Sequence, residues 1–490
     1  MIAGRRALWL TGAAFVPLAA KAAHAAGAEG GHADPFAPIL LVLAVVVLSA
    51  ALGRRGASMV GQPGVLGELV IGVIIGNVGY WLGSPLFVMI MHFAEVGKIV
   101  GMAWNTPLTV AEAAAKVFPA AELGPGTVGA RVVEALSGSD GGKWAIMSLV
   151  IWLMSNLGVT LLLFMVGMES SVEELVGVGP RALVVAVIGV VAPFAAGFAT
   201  TAFLLPTAPI AVDLFVGATL SATSVGITAR VFQDLRRLQS EEARLILSAA
   251  VIDDVLGLII LAVVAGVVAT GGIHLGEVAR ISLLSAAFMA AVIFLGDRIA
   301  RRLAGAFVRL EPTQTRLLFA LTLAFLMGWL ADRIGLATIV GSFAAGLIVS
   351  DTHFPARAGT DAAPDETVHA LVAPLEQIFA PVFFLLMGMQ VNLSTFARPG
   401  TLGLAALLTV AAVIGKVVCG LAAGKTDRLS VGLGMVPRGE VGLIFASVGK
   451  GLGVIDDVLF SAVVIMVMVT TMMTPMALKW SLGRRLAVAA

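Results

Sequence analysis

Ala250-Val251-Ile252-Asp253-Asp254-Val255-Leu256 lies inside an apolar run from Leu245 to Ala269 that contains no Lys or Arg. The run is long enough to cross a bilayer. A carboxylate at the bilayer centre costs about 2.5–3.5 kcal/mol on insertion scales, and two adjacent ones require partners from other segments or a wet cavity. Ionisable residues inside a span point to an ion or substrate path, so the pair marks Asp253 and Asp254 as candidate binding residues of a membrane transporter. A structural ion pair between two helices would use the same residues.

The rest of the chain suits that setting. It is 59% hydrophobic and 12% charged, with mean hydropathy +1.02, values of a polytopic membrane protein. A net charge of +1 gives no global field for nucleic acid, and no cofactor signature is present. The single cysteine, Cys419, excludes an intrachain disulfide. The 56 glycines fit membrane helices that approach closely through small residues.

Residues 1–26 read as a signal peptide, with Arg5 and Arg6 before an apolar stretch and Ala23-His24-Ala25 as the cleavage site. Thirteen spans follow by hydropathy, near 37–53, 65–84, 144–168, 180–204, 208–231, 244–269, 276–297, 315–332, 335–350, 371–392, 401–423, 429–449 and 456–480. Arg54, Arg55, Arg236, Arg237, Arg244, Arg298, Arg301, Arg302, Arg309, Lys425, Arg428, Arg484 and Arg485 then all fall on one side. The positive-inside rule puts that side in the cytoplasm, with the mature N-terminus periplasmic and the C-terminus cytoplasmic. A polar stretch at 91–143 reads as a periplasmic insertion.

The chain also resembles itself. Val65-Leu66-Gly67-Glu68-Leu69-Val70-Ile71-Gly72 matches Ile339-Val340-Gly341-Ser342-Phe343-Ala344-Ala345-Gly346 at an offset of 274, and Leu163-Phe164-Met165-Val166-Gly167-Met168 matches Leu385-Leu386-Met387-Gly388-Met389 at an offset of 221. The difference between the offsets has the length of the 91–143 stretch. The expected fold is therefore an all-α polytopic membrane protein with thirteen transmembrane helices in two inverted six-helix repeats, 37–269 and 315–480, joined by a linker helix at 276–297. Inverted repeats put a transporter's site near the midplane.

Two spans are expected to break there. Ser221-Ala222-Thr223-Ser224-Val225-Gly226-Ile227-Thr228 puts four hydroxyls and a glycine in mid-span, and Pro437-Arg438-Gly439-Glu440-Val441-Gly442 combines proline, glycines and both charge signs. Interrupted helices at this depth offer free carbonyls and half-helix ends to a cation. Lys416, well inside the eleventh span, has no local carboxylate and is expected to reach Asp253 or Asp254. Successive helical residues project about 100° apart, so one carboxylate can face an ion while the other pairs with Lys416.

These residues together resemble the monovalent cation:proton antiporters, above all the bacterial branch with the Kef-type and NapA-type exchangers. Gln62-Pro63-Gly64-Val65-Leu66-Gly67-Glu68 and Phe164-Met165-Val166-Gly167-Met168-Glu169 add to the resemblance, which spans about 37–480. It implies a homodimer in the bacterial inner membrane that exchanges Na+ or Li+ for protons by elevator-type alternating access, electrogenically, with K+/H+ exchange as the alternative. By the same resemblance Asp254 is the main cation- and proton-binding carboxylate. Asp253 is its partner, paired with Lys416 in the cation's absence, and Thr223 and Ser224 line the site. Arg438 and Glu440 stabilise the second broken helix. An intramembrane aspartyl protease is disfavoured because its carboxylates must face each other from different helices, and a passive channel is disfavoured by the paired broken spans. No enzymatic activity is expected.

Overall fold

The computed structural model describes residues 36–489 except 61–63, 119, 170–179, 225–227, 229–231, 233–236, 238–239, 271–274, 311–314, 335–337, 351, 353, 355–366 and 397–398. The signal peptide expected at 1–26 lies outside the described residues. All regular structure described is helical: α1 (Ala37–Met59), α2 (Gly64–Trp81), α3 (Pro85–Met91), α4 (Phe93–Asn105), α5 (Val110–Val117), α6 (Val128–Ser137), α7 (Gly141–Glu169), α8 (Pro180–Leu204), α9 (Ile210–Ser221), α10 (Glu241–Thr270), α11 (Leu275–Leu310), α12 (Thr315–Arg333), α13 (Thr338–Ile348), α14 (Val368–Met389), α15 (Pro399–Val417), α16 (Arg428–Gly434), α17 (Gly439–Gly451) and α18 (Asp457–Ala489), with single turns between some of them.

A helix is present at each of the thirteen positions expected from hydropathy. Among the described residues seven are long and apolar enough to cross a membrane, or eight if the bent pair α3–α4 counts as one. Shorter apolar helices such as Ile210–Ser221, Thr338–Ile348 and Val441–Gly451 occupy other expected positions. Two of these belong to spans that the sequence marked as broken, which is why they fall short of a full crossing.

The chain divides into two compact units. The first runs to Gly158 and takes in Ile378–Thr395; the second comprises Val159–Gln377 and Phe396–Ala490. In the first unit α2 touches the end of α14 backbone to backbone: a Cβ on Gly72 would stand 3.1 Å from Gly388 Cα and closer still to Leu385 O. Nearby, Asn77 donates to Val391 O at 2.7 Å and accepts from Leu393 N at 2.8 Å. Arg54 pairs with the sealed Glu68 at 2.7 Å.

Residues 91–143, expected as a polar addition, are a small helical body rather than a loop. It begins earlier, at Pro85, and buries Val96, Ile99, Ala113, Ala114, Phe118 and Val132 in an apolar cluster with Tyr80, Val88 and Met89. A capping box starts α5: Glu112 N donates to Thr109 Oγ1 and Thr109 N to Glu112 Oε2. The bonds that Thr109 donates to the ionised form, from N and from Oγ1, hold the Glu112 carboxyl below its ordinary range.

In the second unit the same kind of backbone contact joins α7 and α13. A Cβ on Gly167 would stand 3.1 Å from Gly346 Cα, and closer to Phe343 O. Such contacts, possible only where side chains are absent, let membrane helices pack without a hydrophobic driving force. A core of small residues then brings α8, α10, α16 and α18 together through Ala182, Ala186, Ala249, Ala250, Cys419, Val431 and Leu478. The helix expected over 276–297 is longer, running Leu275–Leu310.

Candidate ion-pair site and interrupted helices

Alanines 249 and 250 turn one face of α10 into the small-residue core, and Asp253 follows one turn later. Its side chain is fully buried. Lys416, near the end of α15, is buried to the same extent, and its Nζ donates to Asp253 Oδ1 at 2.7 Å. The lysine expected to reach one carboxylate of the pair reaches Asp253. The backbone of Asp254 continues α10, but its side chain lies outside the described residues. The other carboxylate oxygen, Asp253 Oδ2, is sealed from solvent and has no hydrogen-bond partner among the described residues.

Two glycines set the position of the pair. Gly415, next to Lys416, packs on α8 so closely that a Cβ there would be 2.5 Å from Pro193 Cα. Pro193 lies inside α8, where it can make no i→i−4 hydrogen bond. One turn earlier, a Cβ on Gly189 would come within 3.7 Å of both Asp253 Oδ1 and Lys416 Nζ and 3.6 Å from Cys419 Cβ. Gly189 and the buried Cys419 are thus walls of the site that the sequence did not single out. Cys419 follows Lys416 by three residues, a spacing that could have been noticed; Gly189 carried no signal.

The two stretches expected to break do so. α9 ends at Ser221, and Ala222 adopts an extended conformation with φ −61° and ψ 146°. The helix in the matching span ends at Gly434 and resumes at Gly439, whose φ of +37° is in the region that favours glycine. The interruptions meet and exchange hydrogen bonds. Ser224 N donates to Pro437 O at 2.7 Å, Thr228 Oγ1 to Gly434 O at 2.6 Å, and Thr223 Oγ1 to Met435 O at 3.4 Å. Arg438, fully buried, donates from Nη1 to Ala222 O at 2.8 Å and from Nη2 to Ala412 O at 3.0 Å.

These bonds answer the problem each break creates. A helix end leaves carbonyls without intrahelical partners, and in a bilayer no water replaces them. Arg438 caps the carbonyl at the end of α9 and binds α15 a turn before Lys416. Thr223 and Ser224 are both buried and belong to this meeting point. Glu440 opens α17, but its side chain lies outside the described residues, as do Val225, Gly226 and Ile227.

Sealed opposite charges beside opened backbone make an arrangement that can bind a small cation and release protons. The comparisons with known proteins agree with that chemistry. The family model described as sodium/hydrogen exchanger, transmembrane, matches residues 41–483. The chain is 35% identical over 447 residues to the high-affinity Na+/H+ antiporter NhaS3 of Synechocystis sp., covering 90% of this chain and 88% of that one. It is 33% identical over 368 residues to the Na+/H+-K+ antiporter GerN of Bacillus cereus, covering 74% and 91%. Among solved structures, the sodium proton antiporter MjNhaP1 of Methanocaldococcus jannaschii is similar, with TM-score 0.56, 16% identity, and coverage of 92% of this chain and 99% of that one. At that identity the likeness concerns the fold. A multi-pass helical membrane protein built in this way, and matched by the model over nearly its whole length, belongs to the sodium/hydrogen exchanger family.

Proposed function

We propose that this protein exchanges Na+ for protons across the bacterial inner membrane, with Asp253 and Asp254 as the exchanging carboxylates and Lys416 as their cationic partner. The observation that carries the reading is the sealed 2.7 Å Lys416–Asp253 pair beside two interrupted helices. Coordination of a cation needs ionised carboxylates, whereas protonation removes the charge that holds it. Cation and protons therefore compete for the same oxygens, and competition at one alternately exposed site gives obligatory exchange. Asp254 provides the main cation ligand. Asp253 exchanges its ammonium partner for the cation, and Thr223 and Ser224 line the cage. With two carboxylates and one ammonium, more than one proton can leave per cation bound, which makes the exchange electrogenic. Arg438 and Glu440 hold the second interruption in shape.

The architecture we propose is thirteen spans in two inverted repeats, working as an elevator in a homodimer, with the N-terminus periplasmic and the C-terminus cytoplasmic. The glycine contacts support the repeats. The offset of 274 maps Gly72 on Gly346, and that of 221 maps Gly167 on Gly388. The two contacts, Gly72 with Gly388 and Gly346 with Gly167, are the same contact under that mapping. Hard oxygen ligands suit Na+ and Li+. K+ exchange is the second reading, favoured by the name of the GerN relative.

The test is reconstitution in liposomes with internal pH followed while Na+, Li+ or K+ is added outside, and Asp254→Asn run in parallel. A cation-driven pH change in the wild type alone is expected. Appreciable exchange by folded Asp254→Asn would remove that residue from its role, and current without proton counterflow would make the protein a channel.

A further inference from the structure

The helical body between α2 and α7 returns to the helices it joins. α3 packs Leu86, Phe87 and Ile90 against Ile75 of α2 and Met147 and Ile151 of α7, so it runs back alongside the spans. Between α3 and α4 the chain then bends by 98°, and Phe93, the first residue of α4, stacks on Trp152 with ring centroids 5.4 Å apart.

Trp152 fixes the level at which this happens. On α7 the exposed apolar side chains begin at Ile146 and continue through Leu149, Trp152, Leu153 and Leu157, the pattern of a lipid-facing band. Trp152 lies six residues below Ile146, about 9 Å along a helix axis. The start of α4 is therefore inside the apolar band, and a helix turned nearly at right angles there runs along the leaflet.

The faces of α4 fit this position. Val96 and Ile99 point into the apolar cluster, and Glu95 Oε2 is on a sealed side. Gly97, Val100, Gly101 and Trp104 recur at helical spacing as a second stripe. A Cβ on either glycine would meet nothing within 4 Å, and Trp104 is 87% exposed. Gly97 and Gly101 of the stripe form the floor of a groove of about 580 Å³ that Lys98, Asn105, Thr106 and, from α5, Lys116 also line. An apolar stripe edged by lysines and carrying tryptophan is the composition of an interfacial membrane helix.

We propose that α4 is an in-plane helix lodged in the leaflet where α2 ends, with Val100 and Trp104 among the acyl chains, and that the Lys98–Lys116 groove takes the phosphate of an anionic phospholipid. Lysines reach the headgroup level from such a helix by snorkelling. The proposal rests on the membrane setting and is independent of which ion is exchanged.

Depth is measured with a nitroxide at Trp104→Cys or, as a second variant, Val100→Cys, in liposomes, each in a Cys419→Ala background so that the introduced thiol alone is labelled. Collisions with oxygen should exceed those with a water-soluble nickel chelate severalfold at both positions and fall below them at the exposed Ser139→Cys. Nickel access at 100 and 104 equal to that at 139 would overturn the leaflet seat. For the groove, phosphatidylglycerol mixed into phosphatidylcholine vesicles should raise the melting temperature of the wild type by several degrees, and Lys98→Gln/Lys116→Gln should lose most of that rise. An undiminished rise in the double variant would overturn the groove as the site. The same rise from soluble glycerol phosphate would overturn the lipid as its occupant.

Discussion

Lys416 Nζ stands 2.7 Å from Asp253 Oδ1, and neither side chain has surface open to solvent. Each charge is the other's principal compensation for leaving water, so their attraction offsets a desolvation cost of several kcal/mol per ion.

Removing one partner strands the other. Asp253→Asn should lower stability by about 3–5 kcal/mol, read as a fall in the melting temperature of the purified protein. Asp253→Asn/Lys416→Met, which removes both charges, should recover most of the loss. A double variant as unstable as the single one would show that the charges are not coupled.

The placement of Lys416 depends on its neighbour. Gly415→Ala would put a methyl 2.5 Å from Pro193 Cα, a separation real Cβ atoms do not adopt, so α15 must move off α8 and carry Lys416 with it. Because site geometry tolerates only about 0.5 Å, cation-driven exchange in liposomes should fall on the order of tenfold. Gly189→Ala makes contacts of 3.6–3.7 Å and should fold with a wild-type melting temperature. Wild-type exchange by Gly415→Ala would show slack between the two helices.

Arg438 serves two carbonyls on different helices, Ala222 O and Ala412 O. An ammonium lacks the planar fork that reaches both. Arg438→Lys should therefore strand at least one buried carbonyl, at about 1–3 kcal/mol, and thermal unfolding of the variant checks it. Unchanged stability would mean that the bonds from Thr223, Ser224 and Thr228 hold the interruption without the guanidinium.

The cap of α5 predicts a pH dependence outside the membrane. Bonds from Thr109 hold the folded carboxyl of Glu112 below its unfolded value. The cap's contribution is therefore present above the unfolded pKa and is lost as pH falls through the lower folded one. Hydrogen exchange over 109–117, corrected for intrinsic rate, should lose protection on acidification in the wild type and be insensitive to pH in Glu112→Ala.

Much of the site was legible because intramembrane charge is rare enough to be informative. Spacing alone matched Lys416 to the carboxylate pair and left Asp253 and Asp254 open, the family resemblance named Asp253, and the physical choice depends on the rotation of α10, which the alanines at 249 and 250 set by packing. The breaks at 222–224 and 435–438 were visible as hydroxyls, proline and glycine in mid-span. Their mutual hydrogen bonds were not, because a backbone carbonyl such as Ala412 O has no sequence signature. The body between Pro85 and Ser137 read as polar because its core residues, Val96, Ile99, Ala113 and Val132, are spread over short amphipathic helices among lysines and glutamates, and average hydropathy cancels such a pattern.

Cys419 is the chain's one thiol, and it shares the wall of the ion pair with Gly189. The sulfur is sealed together with the pair, so a water-soluble electrophile reaches it only when the packing around the pair opens. Under the alternating access proposed above, the rate of thiol loss in the unmodified protein would count those openings. An ion that favours one resting state should change that rate before any transport is measured.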